Sequence, residues 1–477
     1  MKYGRSVAVL AAAALLVLVP AGTAAGQEPD NPSPATPRET GTKHHLRTWL
    51  INDPELIKNQ QRVLDTLRRT GSLDTLGIAP VTDMTRPKPY QQEPASYTVD
   101  SSRFPQGTKP ADPYQYITEQ ECEQAGEKAS RPQGWIKNHF SYCQRTLMVI
   151  QDVGCRFPFG GCRPTGLLVA RPMIIGHGKQ GGYGADDRWA HFDVRLNPSF
   201  LSGTMRRADL EVYFETDGEY ENGGDWFEDP CAIGDKEGRD DSLLSWRAND
   251  GAEVELVSEA DAPSAEQGQQ IATCTFHPVY DFDLVGFDPG SEAHGHEGGM
   301  RFDSAWYLAP QEPGQQLGSV FDRTTPGMTY RRDDTPVAGV ADHIGDARQN
   351  PSGTIPSRSD KTLEGSGPQD TLRRLAPGAG QSQQERYAAN RRVVRNFCRS
   401  AAMPPKPGPG LYDCDEYAFA STYEGAARHE YEGSQHEGHY SVRWVNRSQN
   451  REAGSRLGRW YTNDRILNGD EFFVPID

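Results

Sequence analysis

The sequence contains no cysteine pair of the C-x-x-C type, little apolar material and no excess of positive charge. Hydrophobic residues make up 35% of its 477 residues, and 49 glycines and 35 prolines indicate long irregular segments. The lack of a C-x-x-C pair argues against a zinc ribbon or a thioredoxin-like motif. The formal net charge of −16 argues against a protein that coats nucleic acid non-specifically, but it allows a local basic strip.

Apolar runs long enough to cross a membrane are also missing, and the one pronounced apolar run lies at the start of the chain. Lys2 and Arg5 precede an apolar stretch over residues 7–19, and small residues at 23–25 resemble a cleavage site. A membrane anchor would need about 20 apolar residues. Residues 1–25 therefore predict a signal peptide, and we expect a mature protein that is extracellular and free of the membrane.

Eight cysteines agree with export, because disulfides persist in oxidising compartments. Eight cysteines allow many connectivities, so the sequence alone leaves the pairing open. Pairing of neighbours along the chain is the simplest arrangement. It would give the pairs Cys122–Cys143, Cys155–Cys162, Cys231–Cys274 and Cys398–Cys414.

Changes of composition along the chain predict several domains. The predicted order is a signal peptide (1–25), a disordered or extended N-terminal region with a helix near 54–69 (26–115), a β-rich domain (116–335), a helix and Pro/Gly/Ser-rich linker (336–384) and a compact C-terminal domain (385–477). In the N-terminal region, Asp53 is expected to cap the helix and Gly71 to end it.

The middle of the chain alternates apolar and polar residues with a period of two, which is typical of half-buried strands. Leu210, Val212 and Phe214 alternate with Glu211 and Glu215, and turn residues separate such runs. This pattern predicts an antiparallel, β-sandwich-like middle domain. The domain carries no chemical signature, so its partner and the oligomeric state stay open.

The C-terminal domain has the clearest chemical pattern. Asp415 and Glu416 stand in an otherwise apolar strand predicted over 412–420, where an acid costs desolvation unless it has a partner. One interpretation is a pair of carboxylates that face water at the end of the strand. The functional interpretation is that neighbouring carboxylates hold a cation and accept a proton.

A second predicted strand, 441–445, leads into a helix that opens near Asn450. The side chain of Asn450 would either cap this helix or offer its amide oxygen to a hard divalent cation. Six arginines and two acids lie from Arg443 to Arg465, so this acidic protein contains a local basic strip. The planar fork of arginine matches phosphate oxygens, which favours a substrate that contains phosphate.

Together these motifs resemble a known family. The order is Asp-x-Asp-Glu-aromatic from Asp413, then Glu424-Gly425, then a strand, then Asn-Arg-x-Ala-Gly-Ser from Asn450. This order resembles the NucA/NucB family of secreted bacterial deoxyribonucleases over residues 385–477. The resemblance implies a small α+β domain similar to the ββα-metal nucleases, with an aspartate in place of their usual general-base histidine. It also implies DNA as the substrate and Mg²⁺ or Mn²⁺ as the cofactor.

The same resemblance implies roles for individual residues. Asp415 matches the general base that orients or deprotonates the attacking water, and Glu416 is its neighbour in the motif. The metal ligands would be Glu424 and Asn450. The residues expected to neutralise developing charge are Arg451 and Arg459.

Two departures from the family pattern support an alternative function. Ala418 stands where the family usually has proline, and the helix glutamate of some members has no clear counterpart near Gly458-Arg459-Trp460. The alternative is a secreted β-sandwich binding protein whose nuclease-like C-terminal domain is catalytically inactive.

Two groups of histidines offer further candidate metal sites. The loop after Glu424 contains His429, His436 and His439, which either bind a transition metal or, as is usual in a polar loop, remain solvated. The pair His294-Gly-His296 is expected to lie in a surface loop without such a role.

Overall fold

The structure is a computed structural model. It describes residues 42–81, 95–105, 114–156, 160–179, 188–221, 230–258, 270–284, 292–308 and 317–477. The signal peptide predicted for residues 1–25 lies outside the described residues. From residue 42 onward the described chain belongs to one compact unit. Within it, no helix combines the length and the apolar character that crossing a membrane requires.

Strands dominate the described chain. In chain order they are β1 (Thr42–Ile51), β2 (Ala95–Asp100), β3 (Trp135–Asn138), β4 (Ser141–Arg145), β5 (Leu147–Arg156), β6 (Cys162–Ala170), β7 (Met173–Gly178), β8 (Trp189–Arg195), β9 (Pro198–Gly203), β10 (Asp209–Tyr220), β11 (Ala232–Glu237), β12 (Arg239–Ser242), β13 (Gly251–Val257), β14 (Ile271–Asp283), β15 (Glu292–His294), β16 (Gly298–Ser304), β17 (Leu317–Val320), β18 (Thr324–Thr329), β19 (Leu372–Arg373), β20 (Tyr412–Tyr417), β21 (Ser441–Asn446) and β22 (Glu471–Phe472).

Among the described residues the helices are fewer than the strands, and the two longest, α7 and α9, lie in the C-terminal part of the chain. They are α1 (Pro54–Lys58), α2 (Gln60–Thr70), α3 (Glu119–Gln124), α4 (Glu127–Ser130), α5 (Leu243–Ala248), α6 (Ala338–Gln349), α7 (Gln381–Cys398), α8 (Arg428–Glu432) and α9 (Arg447–Asn463).

Three antiparallel sheets make up the middle of the molecule. The first sheet has the order β1-β5-β6-β9, the second β12-β10-β14-β16-β17 with β15 also on β14, and the third β11-β13-β8-β7-β4-β3. The smaller pairs are β20–β21 and β19–β22, which are antiparallel, and β18–β2, which is parallel. The predicted antiparallel character of this region is therefore confirmed.

The three sheets share one apolar core, which explains the alternation in the sequence. Phe192 of β8 packs on Phe214 of β10 and Phe276 of β14, with ring centroids 5.1 and 4.7 Å apart. Phe192 belongs to the third sheet, and the other two belong to the second. Because successive side chains of a strand point to opposite faces, every second residue enters this core.

The described part of the N-terminal region has more regular structure than its composition suggests. Strand β1 pairs with β5 along its whole length, and Trp49 of β1 is buried with Leu56 and Val63 of the following helices. Asp53 caps α1 as predicted, but the predicted single helix is divided into α1 and α2. Pairing with a distant strand stabilises this region, and a composition-based prediction cannot detect such pairing.

All eight cysteines lie in the described chain, and all form disulfides. The bonds are Cys122–Cys143, Cys155–Cys162, Cys231–Cys274 and Cys398–Cys414. The pairing of neighbours along the chain is thus confirmed.

The C-terminal region is built around the strand pair β20–β21 and helix α9, which follows β21 directly. Tyr417 of β20, Val445 of β21 and Trp460 of α9 are buried in one core. Val340 and Ile344 of α6 belong to the same core. Helix α6 is therefore part of the C-terminal fold, although it precedes the domain boundary predicted at residue 385.

The Pro/Gly/Ser-rich part of the region 336–384, for which a helix and a linker are predicted, also contributes to this fold. Leu372 of β19 pairs with Phe472 of β22, and Leu372 and Leu375 are fully buried. The amide of Val474 donates to the carbonyl of Gly365 at 2.9 Å. Glycine, proline and serine are common in linkers, but here they form turns between residues that pair with the end of the chain.

The loop after α9 is anchored in the second sheet by buried ion pairs. Arg465 Nε donates to Asp303 Oδ2 at 2.9 Å, and both side chains are almost fully buried. Arg301 of the same sheet pairs with Asp470 at 2.8 Å. Asp464, the first residue of this loop, is buried and accepts a hydrogen bond from the Tyr97 hydroxyl.

The pH dependence of stability should report the burial of Asp464. Burial raises the pKa of this carboxyl to about 8. The folded state therefore holds a proton that the unfolded state releases above its ordinary pKa, so the free energy of unfolding falls as pH rises toward 8. We expect Asp464→Asn to remove this fall, which amounts to at most about 1.4 kcal/mol per pH unit.

The measurement is urea denaturation of both proteins between pH 5 and 7.5, followed by tryptophan fluorescence. The stability of the wild type relative to Asp464→Asn should decrease with increasing pH. Parallel pH curves for the two proteins would contradict the burial argument.

Candidate active site

A cleft of about 780 Å³ lies between helix α7, strand β20 and helix α9. Its polar lining includes Asp413, Asp415 and Glu416 of β20, Asn450 of α9, and Arg391, Arg395 and Arg399 of α7 and the residue that follows it. The cleft thus brings together three of the six residues that the sequence singled out. These are Asp415, Glu416 and Asn450.

Asp415 is held by a histidine that sequence reasoning did not find. His343 Nδ1 lies 2.6 Å from Asp415 Oδ2, and His343 Nε2 lies 2.9 Å from Ser441 Oγ. His343 is completely buried, and Asp415 is 7% exposed. An ionised carboxylate only accepts hydrogen bonds, so Nδ1 carries the donated proton and fixes the orientation of Asp415.

The contact between His343 and Asp415 could not be inferred from the sequence because the two residues are far apart along the chain. His343 lies on α6, 72 residues before Asp415, and reaches it because α6 packs on β20 and β21. A single histidine on an amphipathic helix is usually a core residue. The one sequence feature that could have indicated a buried role for His343 is its position among the apolar residues of α6, which include Val340 and Ile344.

Glu416 is the second carboxyl of the cleft. Burial, together with the negative charge of Asp415, raises its pKa to about 7, and the positive charge of Arg391 opposes the change. Two neighbouring acids in a partly buried cleft repel each other unless a positive charge lies between them. Together with the amide of Asn450, these carboxyl groups give the cleft lining oxygen donors of the kind that Mg²⁺ and Mn²⁺ prefer.

Asn450 does not cap a helix. Helix α9 begins at Arg447, and Asn446 is its N-cap, because the Asn446 side chain accepts from the amide of Ser448 at 2.9 Å. The alternative in which Asn450 serves only as a cap is therefore wrong. Asn450 lies inside the helix and contributes to the lining of the cleft.

Glu424 is not among the residues that line the cleft. Its carboxylate accepts from the backbone amide of Arg373 at 2.8 Å and from Arg373 Nε at 2.9 Å. Its side chain is 4% exposed. A guanidinium already compensates this charge, and the contact fixes β19 to the loop after β20, outside the cleft lining that includes Asn450.

Arg451 and Arg459 also lie outside the cleft lining. Arg451 is 67% exposed, and its Nε lies 3.5 Å from Asp413 Oδ2, which places it near the rim. Arg459 points to another part of the molecule, where it donates to the backbone carbonyl of Pro105. The arrangement thus separates two arginines to which the sequence assigned one role.

The arginines that do line the cleft come from α7. Arg391 and Arg395 lie four residues apart on α7, so they share one face of the helix, and this face lines the cleft. The disulfide Cys398–Cys414 joins the end of α7 to β20, and both sulfur-bearing residues line the cleft. The bond keeps the basic helix beside the acidic strand.

The histidines of the loop after Glu424 do not converge as metal ligands among the described residues. The rings of His436 and His439 lie 6.0 Å apart at nearly a right angle, and His429 lies near Glu430. The described geometry favours the interpretation of a polar loop.

Cleft and fold together define a small α+β unit with an acidic strand, an amide-bearing helix and a basic helix around one opening. Residues 364–475 match the model of a family described as deoxyribonuclease NucA/NucB. No curated protein matches the chain. The match confirms the resemblance of the C-terminal region and suggests deoxyribonuclease activity and a divalent metal there. His343 precedes the matched residues.

Loss of the His343 contact should lower turnover more than substrate affinity. His343→Leu removes the donor that orients Asp415, and we expect kcat for DNA hydrolysis to fall about 10- to 100-fold with KM changed less than about twofold. His343→Asn retains an N–H donor near the position of Nδ1 and should recover part of the rate.

Initial rates on a DNA substrate measure both parameters, and circular dichroism verifies that the variants fold. Ile344→Val, on the same helix but outside the cleft lining, is the control for altered packing and should preserve kcat. A His343→Leu protein that folds and keeps the wild-type kcat would contradict the orienting role.

Proposed function

We propose that the C-terminal region, completed by α6, hydrolyses phosphodiester bonds of DNA outside the cell with the help of a divalent cation. One observation carries the proposal. A buried aspartate, Asp415, is oriented by His343 in a cleft that also contains Glu416, Asn450 and the arginines of α7. The family match over residues 364–475 supports DNA as the substrate.

Asp415 is the proposed general base. Its Oδ2 accepts from His343, which leaves Oδ1 to take a proton from the attacking water. His343 is in turn in contact with the Ser441 hydroxyl, so the imidazole has one defined orientation. A fixed carboxylate at the edge of a cleft positions water for attack on a phosphorus atom that enters the cleft.

Glu416 and Asn450 are the proposed metal ligands, with Asp413 as a further acid in the lining. When bound there, Mg²⁺ or Mn²⁺ would polarise the phosphate and stabilise the leaving oxygen. The position of Glu424, in its pair with Arg373, supports a structural role for that carboxylate. We therefore propose Glu416 in the place that the sequence analysis gave to Glu424.

Arg391 and Arg395 are proposed to contact the phosphates on either side of the scissile bond. They provide a positive surface in a protein whose net charge is −16, so DNA would meet attraction mainly at this cleft. Arg451, which is exposed at the rim, extends the same surface.

The order β20-β21-α9 supports a ββα arrangement like that of the ββα-metal nucleases. The two strands pair from Tyr412↔Asn446 to Tyr417↔Ser441, and the helix starts one residue after the second strand. The acid comes from the first strand and the amide from the helix. For the location outside the cell, the support is the apolar N-terminal sequence and four disulfides, which persist in oxidising compartments.

Plasmid cleavage by the full-length mature protein tests the proposal. We expect nicking with Mg²⁺ or Mn²⁺ and none with EDTA, and a loss of about 100-fold or more in Asp415→Ala. Asn450→Ala should require more metal for half-maximal activity, because one oxygen ligand is lost. The assay uses purified protein, supercoiled DNA and an RNA of equal charge as a second substrate.

The matched control is Asp74→Ala, which removes an exposed acid near the start of the described chain, far from Asp415 in sequence. This variant should keep full activity. Unchanged activity of Asp415→Ala would sink the assignment of the base. A folded wild-type protein that cleaves no DNA with any divalent cation would instead favour the inactive binding protein. Faster cleavage of RNA than of DNA would overturn the proposed substrate.

The salt dependence of DNA binding tests the role of α7. Each phosphate contact contributes about −0.9 to the slope of log K against log salt concentration on duplex DNA. Arg391→Ala and Arg395→Ala should each reduce the magnitude of that slope by about 0.9, the value of one phosphate contact, and should weaken binding. Fluorescence anisotropy with a labelled duplex measures the binding constant at each salt concentration. The buffer contains Ca²⁺, which is chosen to limit cleavage during the titration.

Arg392 provides a matched control on the same helix. It lies outside the cleft lining and pairs with Glu430 at 2.7 Å. Arg392→Ala should therefore leave the slope unchanged. Equal slopes for all three variants and the wild type would contradict a phosphate-binding role for this face of α7.

A further inference from the structure

A second cluster of ligand-type side chains lies on the second sheet, separate from the cleft. Glu215 of β10 is the direct cross-strand partner of His277 of β14. His294 of β15 faces Val279, two residues further along β14. Because residues two apart share a face of a strand, the three side chains project from the same face of the sheet.

The three ligand atoms are close together. His277 Nε2 lies 2.9 Å from His294 Nδ1 and 3.2 Å from Glu215 Oε2, and His294 Nδ1 lies 3.7 Å from Glu215 Oε2. Tetrahedral zinc with bonds of about 2.0 to 2.1 Å places its ligand atoms roughly 3.4 Å apart. The three observed distances between ligand atoms, 2.9, 3.2 and 3.7 Å, lie on both sides of that value.

A further carboxylate supports one of the histidines from behind. Glu292 Oε2 lies 3.4 Å from His294 Nε2, the ring nitrogen that faces away from the cluster. Metal-ligating histidines usually donate their second N–H to such a carboxylate, which fixes the tautomer and leaves the other nitrogen unprotonated. His294 Nδ1 is thereby directed into the cluster as a lone-pair donor.

The position of the cluster suits a bound ion that is accessible from solvent. The side chain of His277 is 1% exposed and that of His294 is 9% exposed, whereas that of Glu215 is 42% exposed. The two imidazoles are thus held in the sheet, and the carboxylate closes the open side. Three protein ligands leave the fourth tetrahedral position to water.

We propose that Glu215, His277 and His294 bind one divalent transition-metal ion, with Zn²⁺ as the preferred probe. Two imidazoles and one carboxylate select zinc over Mg²⁺, which prefers oxygen ligands. The site is therefore distinct in chemistry from the cleft, and it does not depend on the proposed nuclease activity. In the absence of metal, a hydrogen bond from His277 Nε2 to His294 Nδ1 occupies the same atoms, and on zinc binding the proton of His277 moves from Nε2 to Nδ1 of the same ring.

The second group of ligand-type side chains on the described chain is less suited to an ion. His191, Asp193 and Glu253 lie on the third sheet, and Glu253 is exposed. The contact between His191 and Asp193 is 3.7 Å, which describes a surface ion pair. It provides an internal comparison for the proposed site.

Metal content measures the proposal directly. The full-length mature protein is treated with EDTA, freed of chelator and equilibrated with Zn²⁺ at micromolar concentration, and bound zinc is counted by mass spectrometry. We expect about one zinc per chain. His294→Ala and Glu215→Gln should each bind at least tenfold more weakly in calorimetric titration, and Glu215→Gln preserves the shape of a half-exposed side chain if His294→Ala fails to fold.

Three controls separate this site from the other candidates. His191→Ala, the double variant His436→Ala/His439→Ala and the cleft variant Asn450→Ala should all keep the stoichiometry and affinity. Co²⁺ in place of Zn²⁺ should give the visible absorption of a tetrahedral ion, absent in His294→Ala. No zinc bound to the wild type, or binding that persists in Glu215→Gln and His294→Ala, would overturn the proposal, as would its loss in any of the three controls.

Discussion

The ion pair between Arg465 and Asp303 is the contact on which the arrangement of the C-terminal region depends. Both side chains are withdrawn from water, so neither charge can lose its partner without leaving the other unpaired in the interior. Breaking such a pair from one side destabilises a protein by about 3 to 5 kcal/mol. The pair anchors the loop after α9, and Arg301–Asp470 anchors the same loop a few residues later. The orientation of α9, and with it Asn450, is thus set by the second sheet.

Several segments that are distant in sequence hold the strand β20 and the loop that follows it in place. Asp415 is oriented by α6, the basic face of α7 is tied to β20 by Cys398–Cys414, and Glu424 is held by Arg373 of β19. Each contact joins segments that are far apart in sequence. The side chains that touch the reacting atoms in the proposed mechanism are few, but their positions rest on a network that extends well beyond the residues matched by the family model.

Much of this structure was accessible from sequence. Period-two alternation around Phe214 predicted antiparallel strands, neighbouring cysteines predicted all four disulfides, and the motif at Asp415 predicted the family of the C-terminal region. These signals are local or carried by a motif. His343 was missed because its partner is 72 residues away. The composition of the region 336–384 indicates a linker, because composition does not show that Leu372 pairs with β22. The sequence predicts a surface loop for His294, because a linear pattern does not show that this residue pairs with β14.

The loop after α9, which is anchored by Arg465–Asp303 and Arg301–Asp470, also imposes an order on the folding of the chain. A chain is synthesised from its N-terminus, and earlier domains generally fold first. Asp303 and the strands around it therefore precede Arg465, and every residue of the cleft precedes the anchor that sets its final geometry. We expect the sheets to serve as a template on which the last segment docks. A half-made chain would then contain the chemical groups of the cleft without the alignment that lets them work together.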